Sequence, residues 1–283
     1  MENKLLKRTK KIIIELLALL IGIIYLLPIY VIVVNSFKNR AQMYDNVLSL
    51  PKKLDFQFYK IAMEKMNFSN AFINSAIIAV ISITLIVILS SMTAWMLVRT
   101  KHIISKIVFF LFIATMLIPF QSIMMPLMQF MGSISRNTIF PMINTRFGLV
   151  YMYIGFGASM AVFLFHGFVK GIPASLEEAA TIDGCNKWKI FWKIIFPILK
   201  PTTVTVIILD LRWIWNDFLL PSLALSSKSL RTIPLSTFYF FGEFTIEWNL
   251  AIAGLVMTVI PVIVFYIFAQ KYIIQGVTAG AVK

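Results

Sequence analysis

Long apolar runs alternate with polar segments along the chain, at residues 12–34, 72–98, 107–130, 148–168, 202–220 and 250–269. Each is near the roughly 20 residues a helix needs to cross the hydrocarbon of a bilayer, so the pattern predicts an all-α, polytopic membrane protein with six transmembrane helices. The first run follows Lys4, Lys7, Arg8, Lys10 and Lys11. It is longer than the apolar core of a signal peptide and lacks a small-residue cleavage site, so it reads as a retained span. Glu15, near its inner end, can reach the interface or an N-terminal lysine. Ser82, Thr84, Ser90, Ser91 and Thr93 in the second run suit close helix packing, and most are expected to bond back to their own helix. The third run holds Pro119 and Pro126, each of which removes a helix hydrogen bond, with Gln121 and Gln129 beside them. Irregular backbone at membrane depth is tolerated where it lines a wet cavity, so this run is expected to face a pathway.

The most polar interruption of the second half lies between the fourth and fifth runs, at 169–201. Ser175 and Glu178 have capping-box spacing and predict a helix start. Asp183-Gly184 predicts its end, because glycine enters the left-handed conformation without steric cost. A second helix is expected from about Lys187 to Phe196, with Trp188, Phe191, Trp192 and Ile195 on one face and Lys189 and Lys193 away from it. The product is a helix-turn-helix lying on a surface.

Glu178-Ala179-Ala180, then Gly184, Ile194 and Pro197, resemble the EAA loop of the permease subunits of ATP-binding-cassette importers, with Phe196 where leucine is usual. The run Ile118-Pro119-Phe120-Gln121 to Pro126-Leu127 and the run Trp215-Asn216-Asp217-Phe218-Leu219-Leu220-Pro221 resemble carbohydrate permeases in particular. The tail 270–283, with Gln275, Gly276, Thr278 and Gly280, is similar to that of the maltose-transporter type. The chain is thus identified as a member of the binding-protein-dependent inner-membrane components. The resemblance implies a cytoplasmic coupling loop at 169–201, in which Glu177, Glu178, Ala179, Ala180, Asp183, Gly184, Ile194 and Pro197 meet an ATPase. It implies a tail inserted between two ATPase subunits, and a pathway touched by Pro119, Gln121, Gln129, Trp215, Asn216 and Asp217. The implied partners are a second permease subunit, an ATPase homodimer, an extracellular sugar-binding protein and membrane lipid. The implied substrate is an oligosaccharide such as an α-galactoside or malto-oligosaccharide.

Composition narrows the class. The chain is 59% hydrophobic and only 13% charged, against about 25% charged in a soluble domain. Its net charge of +14 lies between apolar runs and forms no basic stripe with interleaved aromatics, which argues against a nucleic-acid partner. Fifteen Lys and Arg fall on the side of the termini and ten on the other, which predicts cytoplasmic N-terminal (1–11) and C-terminal (270–283) segments in a bacterial plasma membrane. The single cysteine, Cys185, excludes an intrachain disulfide framework. His166 has no nearby second ligand and reads as a satisfied interfacial histidine.

Without a GxxxxGK[ST] loop, the chain cannot bind and hydrolyse ATP by that route, and ATP and Mg belong to the partner ATPase, with no cofactor on this chain. No nucleophile–base or metal pair suggests an enzyme. The alternative is an ion-coupled secondary transporter using Asp210, Arg212 and Asp217, ionisable groups that pair or line an aqueous route when inside a span. Six runs without a detectable inverted repeat weigh against it.

Overall fold

A computed structural model of the protein describes residues 2–241 and 247–281, without the side chains of 2–9, 239, 268, 269 and 271–281. Helices α1 (Glu2–Asn35), α2 (Arg40–Asp45), α3 (Gln57–Lys65) and α4 (Phe68–Arg99) open the chain. Next come α5 (Ile103–Met116), α6 (Phe120–Asn137), α7 (Arg146–Val169), α8 (Ser175–Ile182) and α9 (Lys187–Ile190). A π turn (Phe191–Ile195), α10 (Phe196–Ile198), α11 (Lys200–Asn216), α12 (Leu219–Ala224), α13 (Ile233–Thr237) and α14 (Trp248–Ala281) complete it. No β-strand occurs among the described residues.

Four helices are long and apolar enough to cross a membrane: Lys10–Asn35, Phe68–Arg99, Arg146–Val169 and Trp248–Ile267. Two bent pairs raise the number to six if each is one span. The protein is therefore an all-α, multi-pass membrane fold. The first pair, α5 and α6, turns by 107° at Leu117–Pro119. Proline disfavours helical backbone at the residue before it, so α5 stops and Pro119 becomes the extended N-cap of α6. Pro126 does not break the chain as the sequence suggests; it sits inside α6, whose neighbouring hydrogen bonds carry the helix across the gap. The second pair bends by 74° between Lys187–Ile198 and α11.

The apolar run 202–220 is also two helices. Asp217 is extended, and its Oδ1 accepts from the backbone N–H of Leu219 (3.0 Å) and Leu220 (3.5 Å), ending α11 and starting α12. Conversely, α14 runs unbroken through the expected boundary between the sixth span and the tail.

The chain forms two compact units, residues 1–68 with 237–261, and residues 69–236 with 262–283. In the first, Ala62, Met66, Phe240, Leu250, Ala251, Ala253 and Met257 make a small core. Lys38 is fully buried there, its Nζ donating to the carbonyls of Asn46 (2.9 Å) and Val47 (3.4 Å) and to Ser49 Oγ (3.3 Å). Glu15 lies 3.8 Å from Lys11, one turn earlier on α1, so it reaches an N-terminal lysine. The second unit packs α4, α7 and the 169–225 region around Ile86, Leu149, Val162, Phe165, Phe191, Ile195 and Leu199. Small residues allow the close approach: a methyl group at Gly157 would lie 2.5 Å from Ile86 Cδ1 and 3.5 Å from Asp210 Oδ1. Of the serines on α4, Ser91 bonds back to Ile88 O (3.0 Å), whereas the buried hydroxyls of Ser82 and Ser90 have no hydrogen-bond partner among the described residues, contrary to the expectation for most of them.

Candidate functional site

The 169–201 loop is two helical arms joined at Gly184. Helix α8 starts one residue earlier than capping-box geometry needs: Ala174 is its N-cap, Ser175 is already helical, and no side chain caps the end. The predicted Ser175–Glu178 box is therefore absent. The C-terminus follows prediction in full. Gly184 has φ +78°, Gly184 N–H donates to Thr181 O (3.0 Å) and Cys185 N–H to Ala180 O (2.9 Å), a Schellman pair. Asn186, which carries the N-cap signal that spacing alone missed, accepts from Lys189 N–H (2.9 Å) and starts the second arm.

That arm is not a simple amphipathic helix. Its middle is a π turn, in which Phe196 N–H reaches back five residues to Phe191 O. The extra residue changes the phase, so the buried face is Ile190, Phe191, Ile195 and Leu199. Trp188, expected on that face, is 61% exposed and edge-on to Trp192. Burying each large apolar side chain contributes roughly 1.5–3 kcal/mol, enough to seat the arm without a long helix.

The two glutamates of α8 point differently. Glu177 Oε1 accepts from Arg99 Nε (2.7 Å) and its Oε2 from Trp95 Nε1 (3.0 Å), while Arg99 Nη2 donates to Ile172 O (2.9 Å). Side-chain exposures of 14% for Glu177 and 23% for Arg99 place this pair beneath the surface. Glu178, Ala179, Asp183 and Gly184 are exposed, with Ile182 at 87%, while Ala180 is buried, Ile194 partly buried and Pro197 exposed. The loop therefore presents Glu178, Ala179 and the Ile182–Gly184 corner outward on a base held by Glu177.

Residues expected along a pathway differ in exposure and partners. Gln121 and Gln129 are exposed on α6, and so is Asn216, whose Nδ2 bonds back to Arg212 O (2.7 Å). Asp217 Oδ2 accepts from Tyr153 Oη (3.0 Å), and Trp215 packs edge-on against Phe72. Asp210 and Arg212 do not pair: Arg212 is exposed, whereas Asp210 is buried with its Oδ2 unpartnered. His166 is buried and stacks on Phe109 at 3.6 Å between ring centres. The backbone of Gln275, Gly276, Thr278 and Gly280 continues α14, and the side chains of Gln275 and Thr278 lie outside the described residues. No cluster of three or more His, Cys, Asp or Glu able to hold a metal occurs among the described residues.

One feature legible only in three dimensions is a latch at the far end of α4. Buried Asn74 accepts from Arg146 Nε (2.9 Å) and donates to the carbonyls of Ser229 (2.8 Å) and Arg231 (3.0 Å), while Ser75 Oγ accepts from Ile233 N–H (2.9 Å). An asparagine and a serine in an apolar helix give no sign of such partners until the fold brings the 229–233 segment over them.

Residues 86–279 match the family described as binding-protein-dependent transport system inner membrane component. The chain belongs to that family. This permease is a multi-pass inner-membrane transport subunit of an ABC importer and not an enzyme, ATP hydrolysis being the work of a separate subunit. It is 47% identical to the probable starch degradation products transport system permease protein AmyC of Thermoanaerobacterium thermosulfurigenes, over 97% of each chain. It is 35% identical to the melibiose/raffinose/stachyose import permease protein MelC of Bacillus subtilis (strain 168), over 98% of each. The fold is similar to a chain of a bacterial ABC transporter that imports the acidic polysaccharide alginate, with a TM-score of 0.82 at 22% identity, covering 94% of the permease and 96% of that chain.

Proposed function

We propose that the permease forms half of a heterodimeric pore that imports oligosaccharides, with both termini and the 169–201 loop in the cytoplasm and the loop seated on an ATPase. The observation that carries this reading is the division of labour on α8: Glu177 is held inside the chain, while Glu178, Ala179 and the Ile182–Gly184 corner stand free for a partner. Ile182, 87% exposed, adds an apolar side chain to that outward corner for a partner to cover. The sugar class is supported by relatives named for starch degradation products and for melibiose, raffinose and stachyose. A second permease subunit, an ATPase homodimer carrying ATP and Mg, and an external sugar-binding protein complete the working assembly, and the tail from Gln275 onward meets the ATPase pair.

The test is reconstitution of the whole assembly in proteoliposomes with labelled maltotriose or raffinose. Uptake should require ATP and the binding protein. Glu178→Gln removes the outward charge without disturbing a cap, so a docked carboxylate lost from its partner should weaken ATPase retention by roughly 2–5 kcal/mol. Gly184→Val forces a branched side chain into a left-handed conformation, costing about 1–2 kcal/mol locally, and should also lower retention and sugar-stimulated hydrolysis. Full ATPase binding and coupling in both variants would leave the loop a mere connector. Uptake driven by a proton or sodium gradient alone would replace the reading with ion coupling.

A further inference from the structure

The docking loop is joined by the chain to α7 and α11, yet it is also gripped by side chains of α4, which is remote in sequence. Trp95 and Arg99 lie one turn apart at the end of α4 and hold three parts of the loop. Arg99 Nη2 takes the carbonyl of Ile172 in the connection before α8, Arg99 and Trp95 together occupy both oxygens of Glu177 on α8, and the Trp95 ring lies 5.6 Å from that of Phe191 in the second arm. Phe191 is fully buried, so this last contact is part of the core.

At its other end, α4 is held by the Asn74 and Ser75 hydrogen bonds to the 229–233 segment and to Arg146 at the start of α7. Twenty residues of helix separate Ser75 from Trp95, a rise of about 30 Å, which is the thickness of the hydrocarbon layer. The helix between them contains neither proline nor glycine, whereas Pro28 lies inside α1, Pro261 inside α14, and α7 carries several glycines. Sharp kinks arise most often at proline, and α4 has neither proline nor glycine between the latch and the clamp.

We propose that α4 is a push-rod: its Trp95–Arg99 clamp takes up movement of the docking loop and its Asn74–Ser75 latch delivers that movement to the 229–233 segment on the opposite face of the membrane. This rests on the reading that the loop meets an ATPase, and it assigns Glu177, Trp95, Arg99 and Asn74 a positioning role in coupling, with Glu178 left for the partner.

The experiment uses the assembled importer in a Cys185→Ser background with Lys228→Cys as an exposed reporter beside the latch. Reporter labelling by a water-soluble thiol reagent should differ between the resting and ATP-trapped states. Glu177→Leu removes both clamp bonds. Trp95→Phe keeps the ring against Phe191 and removes one donor, and Glu177→Gln keeps an acceptor oxygen for one donor, turns an N–H2 toward the other and removes the charge. The expected order of damage to sugar-stimulated hydrolysis is Leu first, then Phe and Gln, with Glu177→Leu losing roughly fivefold or more, the low end of measured couplings between sites. ATPase should co-purify at wild-type stoichiometry, and the state dependence of reporter labelling should vanish. Asn74→Leu should abolish the reporter response in the same way from the far end. If Glu177→Leu and Trp95→Phe retain wild-type stimulation and a wild-type reporter response, the rod is overturned, whatever Glu178→Gln does. If they instead strip the ATPase from the complex, Glu177 acts in docking and the rod is again overturned. Intact docking in Glu178→Gln and Gly184→Val would count against the underlying reading alone.

Discussion

Asp210 is the residue whose chemistry separates two kinds of transporter. It is 5% exposed on α11, close to Gly157, and among the described residues one of its carboxylate oxygens has no partner and no cation pairs with it. A lone ionised carboxylate at membrane depth costs about 2.5–3.5 kcal/mol, and a neutral amide of the same shape costs less. Asp210→Asn should therefore leave ATP-driven uptake intact and raise stability by up to about 1 kcal/mol, read from thermal unfolding in detergent. Loss of uptake with normal assembly would point back to ion coupling at this site. The sequence marks Asp210, Arg212 and Asp217 as costly but cannot say which has a partner; that depends on Tyr153, more than fifty positions away, reaching Asp217. Lys38 is a similar case. It reads as one more loop lysine, yet it is buried and grips three acceptors between Asn46 and Ser49. Lys38→Met keeps the apolar stem and should loosen that loop by about 1–3 kcal/mol, visible as faster amide exchange at residues 46–49.

At the scale of elements, the two prolines of the third apolar run are predicted to behave oppositely. Pro126 lies within α6 and withholds one hydrogen bond, so Pro126→Ala should stabilise by about 1–3 kcal/mol. Pro119 holds an extended N-cap at the 107° turn, and Pro119→Ala should cost up to about 1 kcal/mol by freeing the unfolded chain. Cysteines at Gln121 and Gln129 should label from water and change with ATP trapping; protection in every state would mean that α6 is only packed against protein or lipid. The sequence made the helices legible because apolar length is a strong signal, and Gly184 legible because a left-handed residue has few alternatives. It misplaced the start of α8, since a capping box and a helical Ser-x-x-Glu share the same spacing. It also misassigned Trp188, because a π turn changes angular phase without changing composition.

For the molecule as a whole, the clearest sequence signal was the family, carried by the loop motif and by relatives aligned over nearly the full length. Which parts of the chain grip each other was not legible, since Glu177 with Arg99 and Asn74 with Arg231 are pairings between distant segments. The π turn at Phe191–Ile195 adds something to how such a motif should be read. A spacing rule counts residues along the contour, whereas this turn stores one residue more than an α-helix of the same pitch would hold. Excising exposed Lys193 would let Phe196 bond four residues back, so the arm would heal into a regular helix with Phe191 and Leu199 still facing the core. The spacing between Gly184 and Ile194 would then be one shorter, and a gap in an alignment at this point would record a change of winding with the outward Glu178–Gly184 corner unaltered.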